Sequence, residues 1–487
     1  MRFVLGLVMA MAACDGATIS PMLDGGTDAP VVPDAPDATA AAIDGTWLDT
    51  YVTADGPQAV SQCGAAPSAV VVDATTAAVL TYPGACMPDG SFRIHVPGDL
   101  GTYYLRVQGV LYETTKQAGL DLSTDHLGRS DVSGITGVHF GVDMTGLAAW
   151  SPGDVLMAFA PNVGFDQNLS FTSGGPANGE TTLTGTAPWF GYKIDGTRSD
   201  TLQIVQLGVH TSTSGYAYLS LDRAYELPPL TMANNAMQDM AGAFVAPTPG
   251  TLALGINVAS FNQFALVANP NITGRTIAGS AYAAASPEVI PSPPLISFAR
   301  DSSSIATLSF GTLAYGDPFP ETWGRYVKVQ EAFAVPYTWN SVTGSLNALM
   351  TRTVTKADAE ATIINARLGP PRSPKLDGED AFTKTSISPV PIVSWSAPSL
   401  GTPTEYEIVV YEVQIAGNAL KFVSTLRMLT KQTSVRIPAG YLLGQRQYVF
   451  VIRARRRDGS DLYATPLRYG ASTSTADALS ALVTVDF

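Results

Sequence analysis

The side chains able to do chemistry are few, and their spacing argues against catalysis. The chain of 487 residues holds four histidines, His95, His126, His139 and His210. None forms an HxH, HxxH or HExxH pattern, so the usual zinc arrangements are absent from the sequence. No G-x-S-x-G nucleophile elbow occurs, nor a phosphate-cradling Gly-rich loop followed by Lys. Asp195-Gly196-Thr197-Arg198-Ser199-Asp200 has the residues to hold a cation, and equally those of an ordinary turn. No catalytic residue, metal or cofactor is expected on these grounds. A triad or carboxylate pair assembled in space is not legible in one dimension.

Two aromatic clusters suit ligand binding better. Pro188-Trp189-Phe190-Gly191-Tyr192 and Pro318-Phe319-Pro320-Glu321-Thr322-Trp323-Gly324-Arg325-Tyr326 set rings beside Pro and Gly, in loops. Trp189, Tyr192 and Trp323 offer flat faces for a sugar ring, and Arg325 a polar contact. The opposing reading is that such rings bury large area and pin their loops to a core. A third charged feature, Arg455-Arg456-Arg457, reads either as a solvated strand end or as a docking point for an acidic polysaccharide or lipid headgroup.

Charged residues make up 14% of the chain, and Gly is abundant. Short alternating runs rich in Val and aromatics lie between turn residues. This combination predicts an all-β fold of tandem β-sandwich domains with minor helical connectors. The length suggests about three domains. The net charge of −13 gives no basic footprint for nucleic acid.

At the start, Met1-Arg2-Phe3 opens a short apolar run that stops at Met11-Ala12-Ala13-Cys14. One positive charge, a brief hydrophobic stretch and small residues are the parts of a secretory signal. With a Cys at the break, it resembles a bacterial lipoprotein signal (residues 1–14). That resemblance implies that the Cys14 thiol is acylated and anchors an exported protein. The expected place is the outer membrane or cell surface; Asp15 resembles the inner-membrane retention signal of enteric bacteria, which would keep the protein facing the periplasm. No later stretch approaches the roughly 18–20 apolar residues that span a bilayer. Residues 15–44 are built from Asp, Ala, Pro, Gly and Thr without a basic residue. They are expected to form a disordered acidic tether, reaching on the order of 80–90 Å at about 3.1 Å per residue. Its aspartates lack the order of a calcium loop.

Export also explains the remaining cysteines. Cys63 and Cys86 form an even pair and are expected to make a disulfide, worth roughly 3–3.5 kcal/mol through the loop it closes.

Three folded units are expected. In residues 45–122, Asp89-Gly90 turns into Phe92-Arg93-Ile94-His95-Val96, followed by Tyr103-Tyr104-Leu105-Arg106-Val107. This resembles the carboxypeptidase-regulatory-like, prealbumin-type sandwich, which implies a non-catalytic accessory or binding module. Residues 123–354 form a large β-sandwich region of no familiar family, with strands expected at 138–144, 155–160, 202–209, 216–222, 252–258 and 326–335. Within it, Thr231 to Phe244 reads as a helix capped by Thr231. A linker helix is expected over 355–370, capped by Thr355 and stopped by Gly369-Pro370-Pro371. In residues 371–487, Ile392-Val393-Ser394-Trp395 and Tyr448-Val449-Phe450-Val451-Ile452-Arg453-Ala454 resemble the core-tryptophan strand and tyrosine-corner strand of a fibronectin type III domain.

The expected whole is a lipid-anchored envelope protein carrying a row of sandwiches that ends in the fibronectin-like unit. It would bind or adhere through a glycan or protein ligand. A carbohydrate-active enzyme in the middle region, or a purely structural envelope component, is the alternative.

Overall fold

Alternation of period two is what the backbone adopts. The structure, a computed structural model, describes residues 41–53, 56–62, 64, 66–289 and 291–486. Along Ser91–Val96, Phe92, Ile94 and Val96 are buried while Arg93 and His95 are exposed. The architecture is all-β and multi-domain, built from β-sandwiches; its helical segments among the described residues are short, at Pro161–Val163, Gly196–Arg198, Ala259–Asn262, Ala265–Ala268 and Lys356–Ala361.

The first unit contains β1 (Ala41–Thr46), β2 (Leu48–Thr53), β3 (Gly56–Ser61), β4 (Ser68–Val72), β5 (Val79–Cys86), β6 (Ser91–Val96), β7 (Tyr103–Val107), β8 (Val110–Thr114), β9 (Leu120–Asp121) and β10 (Asp125–Leu127). β9-β1-β6-β5 face β5-β4-β7-β8 across a core of Ile43, Trp47, Phe92, Ile94, Tyr103 and Leu105. The β2–β3 hairpin leaves the sandwich and pairs with β10. Ala41–Asp44, expected in the tether, belong to β1, because Ile43 is buried in this core and Asp44 pairs with Arg93 at 2.7 Å. Residues 1–40, with the expected signal, Cys14 and most of the tether, lie outside the described residues.

The second region contains β11 (Val138–Thr145), β12 (Val155–Ala160), β13 (Phe165–Asn168), β14 (Ser173–Gly174), β15 (Thr182–Trp189), β16 (Gln203–Thr211), β17 (Ala217–Glu226), β18 (Met237–Ala243), β19 (Thr248–Ile256), β20 (Gly274–Ala284), β21 (Ile296–Asp301), β22 (Leu308–Asp317), β23 (Gly324–Trp339) and β24 (Val342–Thr355). Its buried side chains form two cores. One lies between the sheet β14-β15-β11-β18 and one face of β12 and β16, through Leu156, Ala158 and Ile204. The other uses their opposite face, through Met157, Phe159, Val205 and Leu207, against the ribbon β19–β22 and the short helices. Burial on both faces explains the near-continuous apolar runs of β12 and β16. Gln206 is tolerated there because its amide donates to Ala148 O and accepts from Ala148 N.

Two helix expectations are corrected. Thr231–Phe244 is not a helix: Met237–Ala243 is β18, parallel to β11 from His139↔Met237 to Thr145↔Ala243. Asn235 at φ 54° turns the chain ahead of it, and the open edge of β11 supplies the backbone partners. Thr355 caps the linker helix as expected, its Oγ1 accepting from Asp358 N at 3.2 Å. That helix ends at Ala361, well short of Gly369. Ile364 then bridges to Ile256, donating to Gly255 O and accepting from Asn257 N; the edge of β19 captures a Thr-Ile-Ile run unsuited to helix.

The third unit contains β25 (Arg372–Leu376), β26 (Glu379–Asp380), β27 (Ser386–Ile387), β28 (Ile392–Ser396), β29 (Glu405–Ala416), β30 (Ala419–Thr430), β31 (Ser434–Arg436), β32 (Gln447–Arg457), β33 (Thr473–Leu479) and β34 (Val483–Val485). Sheets β26-β25-β28-β31 and β30-β29-β32-β33 enclose a core in which Trp395 packs edge-on against Tyr406. The Tyr448 hydroxyl accepts from Leu443 N at 2.9 Å, making the tyrosine corner. The unit is a two-sheet β-sandwich that holds both features on which the fibronectin-like resemblance was drawn, the core tryptophan and the tyrosine corner.

This unit is not the end of a row. β8 of the first unit adds in parallel to β30, with Arg427↔Val110 and Leu429↔Tyr112. β24 of the second region adds antiparallel to β33, from Met350↔Ala476 to Thr353↔Thr473. One sheet therefore runs without a break as β5-β4-β7-β8-β30-β29-β32-β33-β24-β23-β20-β21-β17-β16-β12-β13. Both edges of the fibronectin-like sheet are covered, because an unpaired edge leaves a row of donors and acceptors without partners.

On β23, Glu331 is fully buried among Val329 and Phe333. Ser302 Oγ donates to one carboxyl oxygen; the other has no hydrogen-bond partner. Burial pushes this carboxyl up to about 8. A raised folded-state pKa means stability is full below the unfolded value near 4.5 and is lost as pH rises through about 8. Thermal melting across that window should show the wild type weakening with pH, and Glu331→Gln weakening less. Parallel pH profiles for the two proteins would contradict the assignment.

Candidate functional site

Period-two geometry on β32 puts Arg453, Arg455 and Arg457 on one face and sends Arg456 to the other, where it meets Asp458. The opposite face carries Tyr448, Phe450, Ile452 and Ala454 into the fibronectin-like core. Register then sets carboxylates beside these arginines: Glu407 is opposite Arg453, Glu405 opposite Arg455, and Asp477 opposite Arg453 from the other side.

The result is a charge ladder across four strands. Asp477 takes a two-pronged contact from Arg453, Nε to Oδ1 at 2.7 Å and the terminal nitrogen to Oδ2 at 3.0 Å. Arg453 also reaches Glu407 at 3.3 Å, and Glu407 pairs with Arg427 of β30 at 2.5 Å. Arg455 lies 3.2 Å from Glu407 and 3.4 Å from Glu405, and Arg457 lies 2.6 Å from Glu405. Arg455 and Arg457 are therefore not a solvated strand end. The alternation of Tyr406, Ile408 and Val410 marks one partner strand in the sequence, and Glu405-Tyr406-Glu407 carried the signal of one charged face, but not which arginines it meets.

Burial and charge compete throughout. Burial alone would raise the Glu407 carboxyl, but Arg455, Arg427 and Arg453 override it and hold it well below the usual carboxylate range. Burial opposes the charge on Arg453, and Asp477 with Glu407 more than restores it. For Arg455 burial wins, helped by the repulsion of Arg457 and Arg453, and its pKa is lowered.

The ladder forms one end of a cavity of about 1850 Å³. Strands of the long sheet from β12 to β30 line it, with residues 287–289, 291–294 and 469–471 as loops. Tyrosines 216, 218, 282, 326 and 469 and the hydroxyls of Thr351, Thr353, Thr473 and Thr475 face it. Arg300 lies over the Tyr216 ring at 4.5 Å. Glu288 ties the loop down, accepting from Asp125 N at 3.2 Å, Tyr469 N at 2.8 Å and Arg468 at 3.3 Å. Three parts of the chain meet at that carboxylate.

The residues proposed from sequence lie elsewhere. Trp189 is buried in the second region's first core, edge-on to Phe140 and Phe165, and its Nε1 donates to Tyr192 O at 2.9 Å. Tyr192 is partly exposed and packs against Phe165. Trp323 stacks on Phe319 and meets Phe159 edge-on, against the other core. Arg325 uses all five N–H groups internally, on Asp317 and on the carbonyls of Phe319, Pro320 and Trp323. The two clusters pack against different cores and do not converge on one site.

The histidines are dispersed. His95 is exposed; His126 pairs with Asp49 at 2.8 Å and His210 with Asp222 at 2.8 Å. Among the described residues, no group of three His, Cys, Asp or Glu side chains is placed to hold a metal ion. Asp195 accepts from Thr197, and Asp200 is paired with Arg129, so that turn is satisfied by protein. Cys86 ends β5; Cys63 lies outside the described residues. No helix among the described residues is long and apolar enough to cross a membrane.

The fold and the cavity define an all-β, multi-domain β-sandwich protein. No family model matches the chain, and no curated protein matches it. Among solved structures, the FN1-FN3 domains of chicken CNTN1 align with 73% of this chain and 99% of their own, at 10% identity and a TM-score of 0.13. A streptococcal ancillary pilin aligns over 62% and 95%, at 10% identity and a TM-score of 0.11.

Removing the ladder's central acid leaves three guanidinium groups short of a partner. Glu407→Ala should cost about 3–5 kcal/mol in denaturant unfolding, as expected for breaking a buried ion pair. Because the folded pKa of Glu407 is depressed, its contribution is present above the ordinary carboxylate value and lost as pH falls through the folded one. Glu407→Gln should therefore flatten the acid limb of stability against pH; an unchanged limb would refute the ladder's role.

Proposed function

We propose that this is a lipid-anchored, non-catalytic binding protein of the cell envelope, with the large cavity of the long sheet as its binding site and a glycan as its ligand. The observation that supports this reading most is the cavity itself. It is built jointly by the second region and the fibronectin-like unit, and it combines tyrosine rings with hydroxyls and fixed charges. Flat apolar faces beside a few oriented polar groups suit a sugar, whose rings have one kind of surface on their faces and the other on their edges. Trp189, Tyr192, Trp323 and Arg325 are not needed for binding on this reading.

The anchor rests on the sequence. Cys14 is the proposed lipidation site, residues 15–40 the tether, and the outer membrane or cell surface the place. Several acyl chains on one Cys would hold firmly where one alone binds only marginally. The first unit is proposed to be a prealbumin-type accessory module of the carboxypeptidase-regulatory-like kind, stapled by a Cys63–Cys86 disulfide.

Two measurements test these parts. Metabolic labelling with a radioactive fatty acid should mark the wild type and not Cys14→Ala, which should move from the membrane fraction to the soluble one; equal labelling would remove the anchor. Non-reducing peptide mapping should recover Cys63 linked to Cys86. For the binding reading, the full chain on a glycan array, with product analysis of every hit, should give binding without turnover. Turnover abolished by a single carboxylate change would make the protein a carbohydrate-active enzyme instead.

A further inference from the structure

The ladder is layered by charge. Its carboxylates lie underneath: the side chains of Glu405, Glu407 and Asp477 are 0%, 1% and 1% exposed. Its cations lie on top: Arg427, Arg453 and Arg455 are 36%, 24% and 18% exposed. A ligand entering the cavity at this end therefore meets chiefly guanidinium edges, Glu407 being the one ladder acid in the lining. The fourth arginine, Arg457, is only 5% exposed beside Glu405, so the three exposed guanidinium groups are the ones within reach of a ligand. Arg300, on β21, adds another cation to the cavity lining.

The buried acids also fix geometry. Asp477 grips Arg453 by two nitrogens, and Glu407 holds Arg427, Arg453 and Arg455 on adjacent strands. Orientation is settled before any ligand arrives, which lowers the ordering cost of binding. Other cavity carboxylates do not cancel the effect at this end. Glu288 is tied to Arg468 and to Tyr469 N, and Asp301 accepts from Ser303 N. Asp166 lies on β13, at the far end of the sheet order from the ladder strands. Elsewhere the protein is acidic, at −13 overall, so an anion is repelled by most of the molecule and attracted here.

We propose that the cavity takes an acidic glycan, whose carboxylate or sulfate oxygens pair with Arg427, Arg453 and Arg455 while its rings lie against the cavity tyrosines. This rests on the binding reading above and names its substrate class. Guanidinium suits such oxygens because its planar fork matches them two at a time.

Calorimetric titration of the full chain with an oligogalacturonate, its fully methyl-esterified form and a sulfated oligosaccharide tests the proposal on the unaltered protein. The acid form should bind, the ester should not, and affinity should fall as salt is raised; the sulfated ligand separates sulfate from carboxylate recognition. Arg427→Gln and Arg427→Lys, each checked for an unchanged melting curve, should weaken binding by roughly tenfold or more, lysine failing because the fork is lost. Equal binding of ester and acid, or binding insensitive to salt, overturns the acidic class and leaves the glycan reading standing. Binding of polyglutamate in place of every oligosaccharide overturns the inference in favour of an acidic peptide. Failure of every ligand here and on the array removes the binding reading with it.

Discussion

Strand pairing at the two edges of the fibronectin-like sheet is the contact on which the rest depends. β30 would otherwise expose its backbone on one side and β33 on the other. Each takes a strand from a different part of the chain, β8 from the first unit and β24 from the second region. Backbone hydrogen bonds are directional and leave little slack in register. Units joined through them become one continuous sheet, where units joined by a linker would be free to swing. The last unit in sequence thereby becomes the middle of the sheet.

That junction creates the cavity. Thr351 and Thr353 of β24 meet Thr473 and Thr475 of β33 across the seam, with Thr351 and Thr475 hydrogen-bonded at 2.8 Å. The wall on one side of the seam is aromatic and hydroxylic; on the other it is the charge ladder. Neither half alone makes the enclosure. The ladder shows why charges can be buried at such a place: every carboxylate there has at least one arginine within ion-pair distance. Such clusters contribute less to stability than their Coulomb attraction suggests, because desolvation offsets most of it. Their effect is to hold orientation, and that is what a binding surface requires.

Parts of this were legible in the residues. Strands β12, β16, β17 and β23 fall close to their expected positions, since alternation and apolar runs are local signals. Trp395 and Tyr448 marked a C-terminal β-sandwich, because one packs and the other caps through contacts inside a single sandwich. The helix expected at Thr231–Phe244 failed for a physical reason. Ala233, Met237, Met240 and Phe244 suit a helical face, but Met240 and Phe244 are equally served by a strand beside β11. A free sheet edge outweighed local periodicity, as it did at Ile364. Of the two readings of the aromatic loops, burial describes Trp189, and internal hydrogen bonds describe Arg325.

What the residue order determined by itself was class and local form. An all-β chain, strands such as β12 and β23, the packing of Trp395 and the cap at Thr355 all follow from patterns a few residues long. Arg455 and Arg457 were visible as charges, and their period-two spacing already placed them on one face. Only the tertiary structure decided which acids answer them, which edges are covered and where a cavity opens. Those depend on pairings between strands hundreds of residues apart, such as Val110 with Arg427, and no short window of sequence contains both partners.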